Sequence, residues 1–212
     1  MWHWAGTEIC ETLEELVAPQ HTALLLWDCT AGVVGHAFNA DTLIANTARL
    51  LEAARAHGIL TLYSRQNDMT WADLGPAMVR LRMRQFHVTD LASDPRANRR
   101  GAPPWEPPAL LQPRAGDAVF EKFSPNAFLG TSFEWRLRRH GIKTILLTGV
   151  SVETGIDATV REATNRGYYA VIVRDCVGTR SEALQRAALD ALETFDTYDS
   201  SEIIAAWGQA TA

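Results

Sequence analysis

Residues 144–173 read TILLTGVSVETGIDATVREATNRGYYAVIV. Apolar runs at 144–148 and 169–173 are short and lack alternation of polar and apolar positions, which is typical of strands that are covered on both faces. Between them, residues 153–166 have the pattern of an amphipathic helix, and Gly167 follows as a stop signal. The stretch therefore predicts a strand–helix–strand unit with parallel strands.

The same alternation extends to both sides of this unit. Further strands are predicted at 22–27, 59–63, 118–120 and 195–198. Further helices are predicted at 41–57, 74–86, 127–140 and 181–193. The pattern predicts an α/β fold of the Rossmann-like type, a three-layer α/β/α sandwich around a parallel sheet of about six strands. We expect a single domain over 1–212, with its core at about 18–207.

One segment interrupts this alternation. Residues 88–113 include DPRANRRGAPPWEPPALLQP, in which Trp105 is surrounded by prolines. Because proline blocks helices and removes donors from strand ladders, this segment is predicted to be a long ordered loop. It is either a surface excursion or a functional lid or subunit contact.

Composition and charge exclude several classes of function. The formal net charge of −5 argues against a nucleic-acid partner, because phosphate contacts need clustered Lys and Arg. No run approaches the roughly 20 apolar residues of a membrane-spanning helix. The first residues, MWHWAGTEICETLEEL, lack the pattern of a secretory signal. We therefore expect a cytoplasmic protein that binds neither membranes nor nucleic acid.

Motifs for cofactors and metals are not found in the sequence. Cys10, Cys29 and Cys176 are widely separated and lack zinc-site spacing, which favours reduced thiols. No phosphate-binding glycine motif follows the first strand, so a nucleotide cofactor has no support. A GxSxG motif is also absent, which argues against the serine α/β-hydrolases. We expect no cofactor and no metal.

Candidate catalytic side chains follow the predicted strands. Ligands of open parallel sheets bind beyond the carboxyl ends of the strands. Asp28 directly follows the apolar run 22–27, and Lys122 follows the strand at 118–120. A buried Asp needs a partner, which Lys122 can supply. The pair is either structural or, at the edge of a cleft, catalytic.

Three blocks of the sequence resemble the isochorismatase-like, or cysteine hydrolase, superfamily, over about residues 18–207. They are Asp28 at its strand end, KFSPNAFLGT at 122–131 and TGVSVETGIDATVREATNRGY at 148–168. The resemblance implies a six-stranded parallel sheet with helices on both sides. It also implies a homodimer or homotetramer, and a non-proline cis peptide bond between Val150 and Ser151.

Gly155 occupies the position at which most members of this superfamily carry a nucleophilic cysteine. In those members the thiol, activated by the Asp and the Lys, forms an acyl intermediate with amide substrates. The chain is thus similar to a branch with Gly at this position. True isochorismatases share this change and hydrolyse a vinyl ether without covalent catalysis. Gln66, in YSRQ, matches one of their residues, whereas WDCT at 27–30 and VSVETG at 150–155 depart from their sequences.

The leading hypothesis is a cofactor-independent hydrolase of a small organic molecule, with vinyl-ether hydrolysis as one option. Asp28 would act as general acid or base, and Lys122 would orient it and bind an anionic or carbonyl oxygen. Backbone N–H groups near 150–155 would bind an anion. Alternatives are C–N hydrolysis by water that Asp28 activates, and a non-catalytic binding protein. The residues predicted to bind substrate are Gln66, Arg65, Val150, Ser151, Glu153, Thr154, Phe128 and Trp27, and the Trp71 region and the 88–113 loop are expected to form further walls.

Overall fold

The computed structural model describes residues 1–66, 74–89 and 105–209. An antiparallel hairpin of β1 (Trp2–Trp4) and β2 (Thr7–Ile9) comes first. The strands of the main sheet are β3 (Thr22–Trp27), β4 (Leu60–Gln66), β5 (Ala118–Lys122), β6 (Thr144–Val150), β7 (Tyr169–Gly178) and β8 (Thr197–Tyr198). The helices of the described part are α1 (Leu13–Leu16), α2 (Ala31–Val34), α3 (Ala40–Ala56), α4 (Pro76–Phe86), α5 (Phe133–Arg139), α6 (Asp157–Asn165), α7 (Glu182–Asp190) and α8 (Ser200–Gln209).

The main sheet has six strands in the order β5-β4-β3-β6-β7-β8, and all neighbouring pairs are parallel. This confirms the predicted α/β fold and its six-stranded parallel sheet. The chain runs outward from β3 to β5, returns beside β3 as β6, and then runs outward on the other side. The order therefore reverses between β3 and β6, and a crevice for ligands is expected beyond the carboxyl ends of these two strands.

Both faces of the sheet are buried, as β3 illustrates. Leu24 and Leu26 belong to one apolar cluster, whereas Leu25 and Trp27 belong to the other. Successive side chains of a strand point to opposite faces, so each cluster lies on one side of the sheet. Burying one such leucine contributes about 1.5–3 kcal/mol, which explains the continuous apolar runs in the sequence.

The predicted helix at 127–140 is wrong in its first half, since α5 begins at Phe133. Residues 127–130 form a turn, and Gly130 has a φ of +67°. A residue in this left-handed conformation does not continue an α-helix. The N–H of Phe133, the first residue of the new helix, donates to Thr131 Oγ1 at 3.1 Å.

The predicted helix at 153–166 is divided in the structure. A single π-helical turn, Val152–Ile156, precedes α6. Its Ile156 N–H donates to the Ser151 carbonyl five residues earlier, at 3.3 Å. Such turns occur often at functional sites, and this one lies directly after β6, beside the crevice.

The predicted loop at 88–113 falls only partly within the described residues. Positions 90–104 lie outside them, as does Trp71. In the described part, a short 3-10 turn at Ala109–Leu111 buries Leu111 completely. Within residues 1–66, 74–89 and 105–209, no helix is both long and apolar enough to span a bilayer.

Candidate active site

Asp28 leaves the end of β3 in an unusual backbone conformation. Its φ is +47°, in the left-handed region that Asp enters more readily than most residues. The Asp28 N–H donates to Ser64 Oγ at 3.0 Å, and the Ser64 hydroxyl donates to Asp28 Oδ1 at 3.4 Å. Ser64 thus fixes both the backbone and the carboxylate of Asp28 at the carboxyl edge of the sheet.

Lys122 reaches Asp28 across the intervening strand β4. Its Nζ lies 2.8 Å from Asp28 Oδ2 and donates to Gln66 Oε1 at 3.2 Å. The same ammonium lies 4.1 Å from the ring centroid of Trp27, within cation–π distance. The Lys122 side chain is 3% exposed and that of Asp28 is 21% exposed. The carboxylate is therefore the more accessible member of the pair, while the ammonium is buried against Gln66 and Trp27.

Gly155 lies directly against the indole of Trp27. A Cβ placed on Gly155 would overlap Nε1 and Cε2 of the indole and lie 2.7 Å from Cδ1. Trp27 itself is 1% exposed, so its ring is enclosed on its other sides as well. The space that a side chain at position 155 needs is therefore filled by Trp27.

The segment after β6 brings several of the predicted residues to the carboxyl edge of the sheet. The Val150–Ser151 peptide bond is cis, at the position that the resemblance implied. Ser151 Oγ and Thr154 Oγ1 are 2.7 Å apart, and both Thr154 and Glu153 are exposed. Val150 is 8% exposed and closes the end of the strand. Their predicted contacts with substrate stay predictions.

Two other predicted residues lie in different surroundings. Arg65 lies 3.4 Å from Glu106, with which it forms an ion pair at the surface. Phe128 packs in the core, with its ring centroid 5.1 Å from that of Phe133 and 5.9 Å from that of Tyr168. Tyr168 directly precedes β7, at the amino end of the strands and opposite the crevice. These contacts are structural, and a role for Phe128 in substrate binding stays a prediction.

Cys29 is the cysteine nearest to Asp28 in the sequence, but its side chain lies on the other face of the sheet from Trp27. It is 2% exposed, and its Sγ lies 3.6 Å from the Trp27 carbonyl oxygen. Burial, with a smaller contribution from the Asp28 charge, raises the pKa of the Cys29 thiol far above its ordinary value. The thiol is therefore protonated at neutral pH and is a poor nucleophile.

Ser64 is a member of this group to which the sequence reasoning gave no role. The sequence signal was its place beside Arg65 and Gln66 after the second predicted strand, and in the structure β3 and β4 pair Leu26 with Tyr63. That pairing places the next residues of both strands side by side at the sheet edge. Within the described ranges, no group of three or more His, Cys, Asp or Glu side chains is placed to hold a metal ion.

The parallel sheet and its reversal of order between β3 and β6 define a class of protein, the doubly wound α/β proteins, whose members bind ligands at such switch points. The family model of the isochorismatase domain matches residues 22–201. This match covers most of the chain, which therefore belongs to the isochorismatase family of hydrolases.

Individual relatives agree with this assignment. The ureidoacrylate amidohydrolase RutB of Variovorax paradoxus is 27% identical over 181 residues, which cover 82% of this chain and 72% of that protein. RutB of Methylobacterium radiotolerans is 28% identical over 159 residues, which cover 72% of this chain but only 62% of that protein. The crystal structure of a cysteine hydrolase from Pseudomonas syringae pv. phaseolicola superimposes with a TM-score of 0.77 at 20% identity, covering 91% of this chain and 94% of that one.

Proposed function

We propose that this protein hydrolyses a C–N bond of a small organic substrate, with a water molecule in place of a cysteine thiol as the nucleophile. The observation that carries the proposal is the 2.8 Å contact between Lys122 Nζ and Asp28 Oδ2. In an ion pair with this ammonium, Asp28 is a proton acceptor. A proton acceptor beside the crevice suits the activation of water.

In the proposed reaction, Asp28 transfers the proton and Lys122 stabilises the developing charge. Asp28 takes a proton from water while the water oxygen bonds to the carbonyl carbon of the substrate. Lys122 stabilises the negative charge that develops on the carbonyl oxygen. The C–N bond then breaks, and Asp28 returns the proton to the leaving nitrogen. General acid–base catalysis of this kind contributes about 10²–10⁴-fold to the rate.

The names of the relatives support the choice of bond. Both RutB proteins are amidohydrolases that act on ureidoacrylate, and they are related to this chain over most of its length. The reaction proposed for this chain shares the amide class with them, while Gly155 excludes a thiol at the corresponding position.

Substitution of Asp28 tests the proposal on a panel of small amides and ureido compounds. We expect Asp28→Asn to lower kcat by about 10²–10⁴-fold, since the amide cannot accept the proton. Asp41→Asn is the matched control, because Asp41 is an exposed carboxylate in the first turn of α3. Full activity of Asp28→Asn on every substrate that the parent protein turns over would contradict the proposal.

Vinyl-ether hydrolysis is the second candidate, and the contact between Gln66 and Lys122 favours it. Gln66 is the residue that matches true isochorismatases, and its Oε1 accepts from Lys122 Nζ at 3.2 Å. Including a vinyl ether in the same panel separates the two reactions. Turnover of the vinyl ether alone would replace the C–N proposal.

The non-catalytic alternative has less support. Asp28 and Lys122 side chains that lie apart would have favoured it, whereas these two side chains are in contact.

A further inference from the structure

The position that lacks a nucleophile is not an empty space in this protein. A Cβ on Gly155 would overlap two atoms of the Trp27 indole. Gly155 is itself buried, and it belongs to the π-helical turn between β6 and α6. A side chain at position 155 therefore needs either a displaced indole or a displaced turn.

Neither displacement is easily made. Trp27 is 1% exposed and packs in the apolar cluster below the sheet edge, together with Val152 and Ile156 of the same turn. The strand before the turn is also close to Trp27, since Gly149 of β6 pairs with Trp27 and approaches its carbonyl so closely that any Cβ at Gly149 would overlap it. Packed interiors accommodate added atoms poorly, because neighbouring side chains are already in low-energy rotamers.

We infer that Trp27 and Gly155 form one steric unit, in which Trp27 excludes every side chain from position 155 and removal of its ring reopens a site for a thiol. Because Trp27 fills this space, the nucleophile of the reaction cannot be a side chain at position 155. The steric relation stands on the contacts alone, and its meaning for the reaction rests on the function proposed above.

The reopened site would lie beside a cation. The Trp27 ring centroid is 4.1 Å from Lys122 Nζ, so the volume that the indole vacates borders this ammonium. The contacts of Lys122 with Asp28 and Gln66 do not involve the indole. A thiol introduced there has a nearby positive charge, which favours the reactive thiolate.

A double-mutant cycle on stability tests the steric unit. We expect Gly155→Ala to lower the Tm of the parent protein by about 5 °C, because the added methyl group overpacks the core. In a Trp27→Val background the same change should shift the Tm by less than about 1 °C, or raise it by filling the vacated space. An equal loss of Tm in both backgrounds would overturn the inference.

Alkylation gives a second measurement that needs no substrate. In Trp27→Val/Gly155→Cys, iodoacetamide should modify the introduced thiol at pH 7 at least about tenfold faster than Cys10, as followed by peptide mass spectrometry. The thiolate sulfur bonds to the methylene carbon, iodide leaves, and the thiol proton goes to solvent. A rate as low as that of buried Cys29 would contradict the inference.

The two proposals fail separately in these experiments. Trp27→Ala with the same partner substitutions serves as a second background if Trp27→Val does not fold. If the Tm changes of the substitutions at positions 27 and 155 are simply additive, the steric unit is rejected, whatever the activity of Asp28→Asn. Conversely, full activity of Asp28→Asn rejects the proposed reaction and leaves the steric unit standing.

Discussion

Cys29 and Asp28 are neighbours in the sequence but differ completely in exposure. Asp28 is 21% exposed at the crevice, whereas Cys29 is 2% exposed on the opposite face of the sheet. Burial raises the pKa of the Cys29 thiol well above its usual range. A thiol with a raised pKa keeps its proton as the pH rises, so its reactivity stays low across neutral and mildly alkaline pH.

This difference predicts a pH-independent resistance of Cys29 to alkylation. Between pH 7 and 9, iodoacetamide should leave Cys29 unmodified in the folded protein while it modifies the half-buried Cys10. The measurement is peptide mass spectrometry after timed alkylation, and unfolding in urea provides the control in which both thiols react. Modification of native Cys29 that increases steeply between pH 7 and 8 would contradict its burial.

The residues of the site were predictable to different degrees. Asp28 and Lys122 could be placed together because both follow strands of a parallel sheet, whose carboxyl ends share one edge. The close contact between Trp27 and Gly155 could not be predicted from the sequence. It depends on the rotamer of the indole at the end of β3 and on the path of the turn that follows β6. Sequence patterns report which face a residue occupies but not how far its side chain reaches.

At the scale of elements, α8 shows what short segments conceal. Its ten residues, SSEIIAAWGQ, are too few for a clear helical period, so their pattern does not predict a helix. In the structure, Trp207 is completely buried and its Nε1–H donates to the Val17 carbonyl at 2.8 Å. This contact joins α8 to the end of α1 beneath the sheet.

We therefore expect Trp207→Ala to lower the free energy of unfolding by about 3–5 kcal/mol, because it leaves a large cavity and an unpaired carbonyl group. Trp207→Phe should cost less, since it keeps most of the apolar volume and loses only the hydrogen bond. Chemical denaturation measures both, with Ser201→Ala on the exposed side of α8 as the control. A loss below 1 kcal/mol for Trp207→Ala would mean that α8 is not part of the cooperative core.

Strands were easier to predict than helices in this chain. The runs at 22–27 and 144–148 are apolar throughout and match β3 and the larger part of β6. The first half of the predicted helix at 127–140 failed because a positive φ at Gly130 is a property of the turn and not of an apolar pattern. Burial on two faces marks a strand continuously, whereas the end of a helix depends on one or two residues.

For the molecule as a whole, the sequence pattern predicted a parallel sheet. It did not predict the order of the strands in that sheet. Alternation of strands and helices predicts parallel neighbours. It does not determine on which side of β3 each later strand lies, and that choice follows from packing between distant segments. The return of β6 to the side of β3 places Asp28 and the turn after β6 at the same carboxyl edge of the sheet.

Assembly is the prediction that belongs to this scale. Relatives of this type led us to expect a homodimer or homotetramer, and exposed apolar side chains such as Trp135 and Leu129 offer surface for such contacts. Size-exclusion chromatography with light scattering should give a mass two or four times the 23.4 kDa of one chain. A mass of 23.4 kDa over the accessible range of concentrations would contradict this expectation.

The close contact between Trp27 and Gly155 also restricts the order in which the two positions can be substituted. If any side chain at position 155 is incompatible with the indole, substitutions at the two positions are tolerated in one order only. A cysteine arising at 155 while Trp27 is present would be selected against, whereas loss of Trp27 would have to come first and without catalytic benefit. The order of the two substitutions therefore matters, and a laboratory library that aims to place a thiol at position 155 of this scaffold must vary position 27 beforehand or together with it.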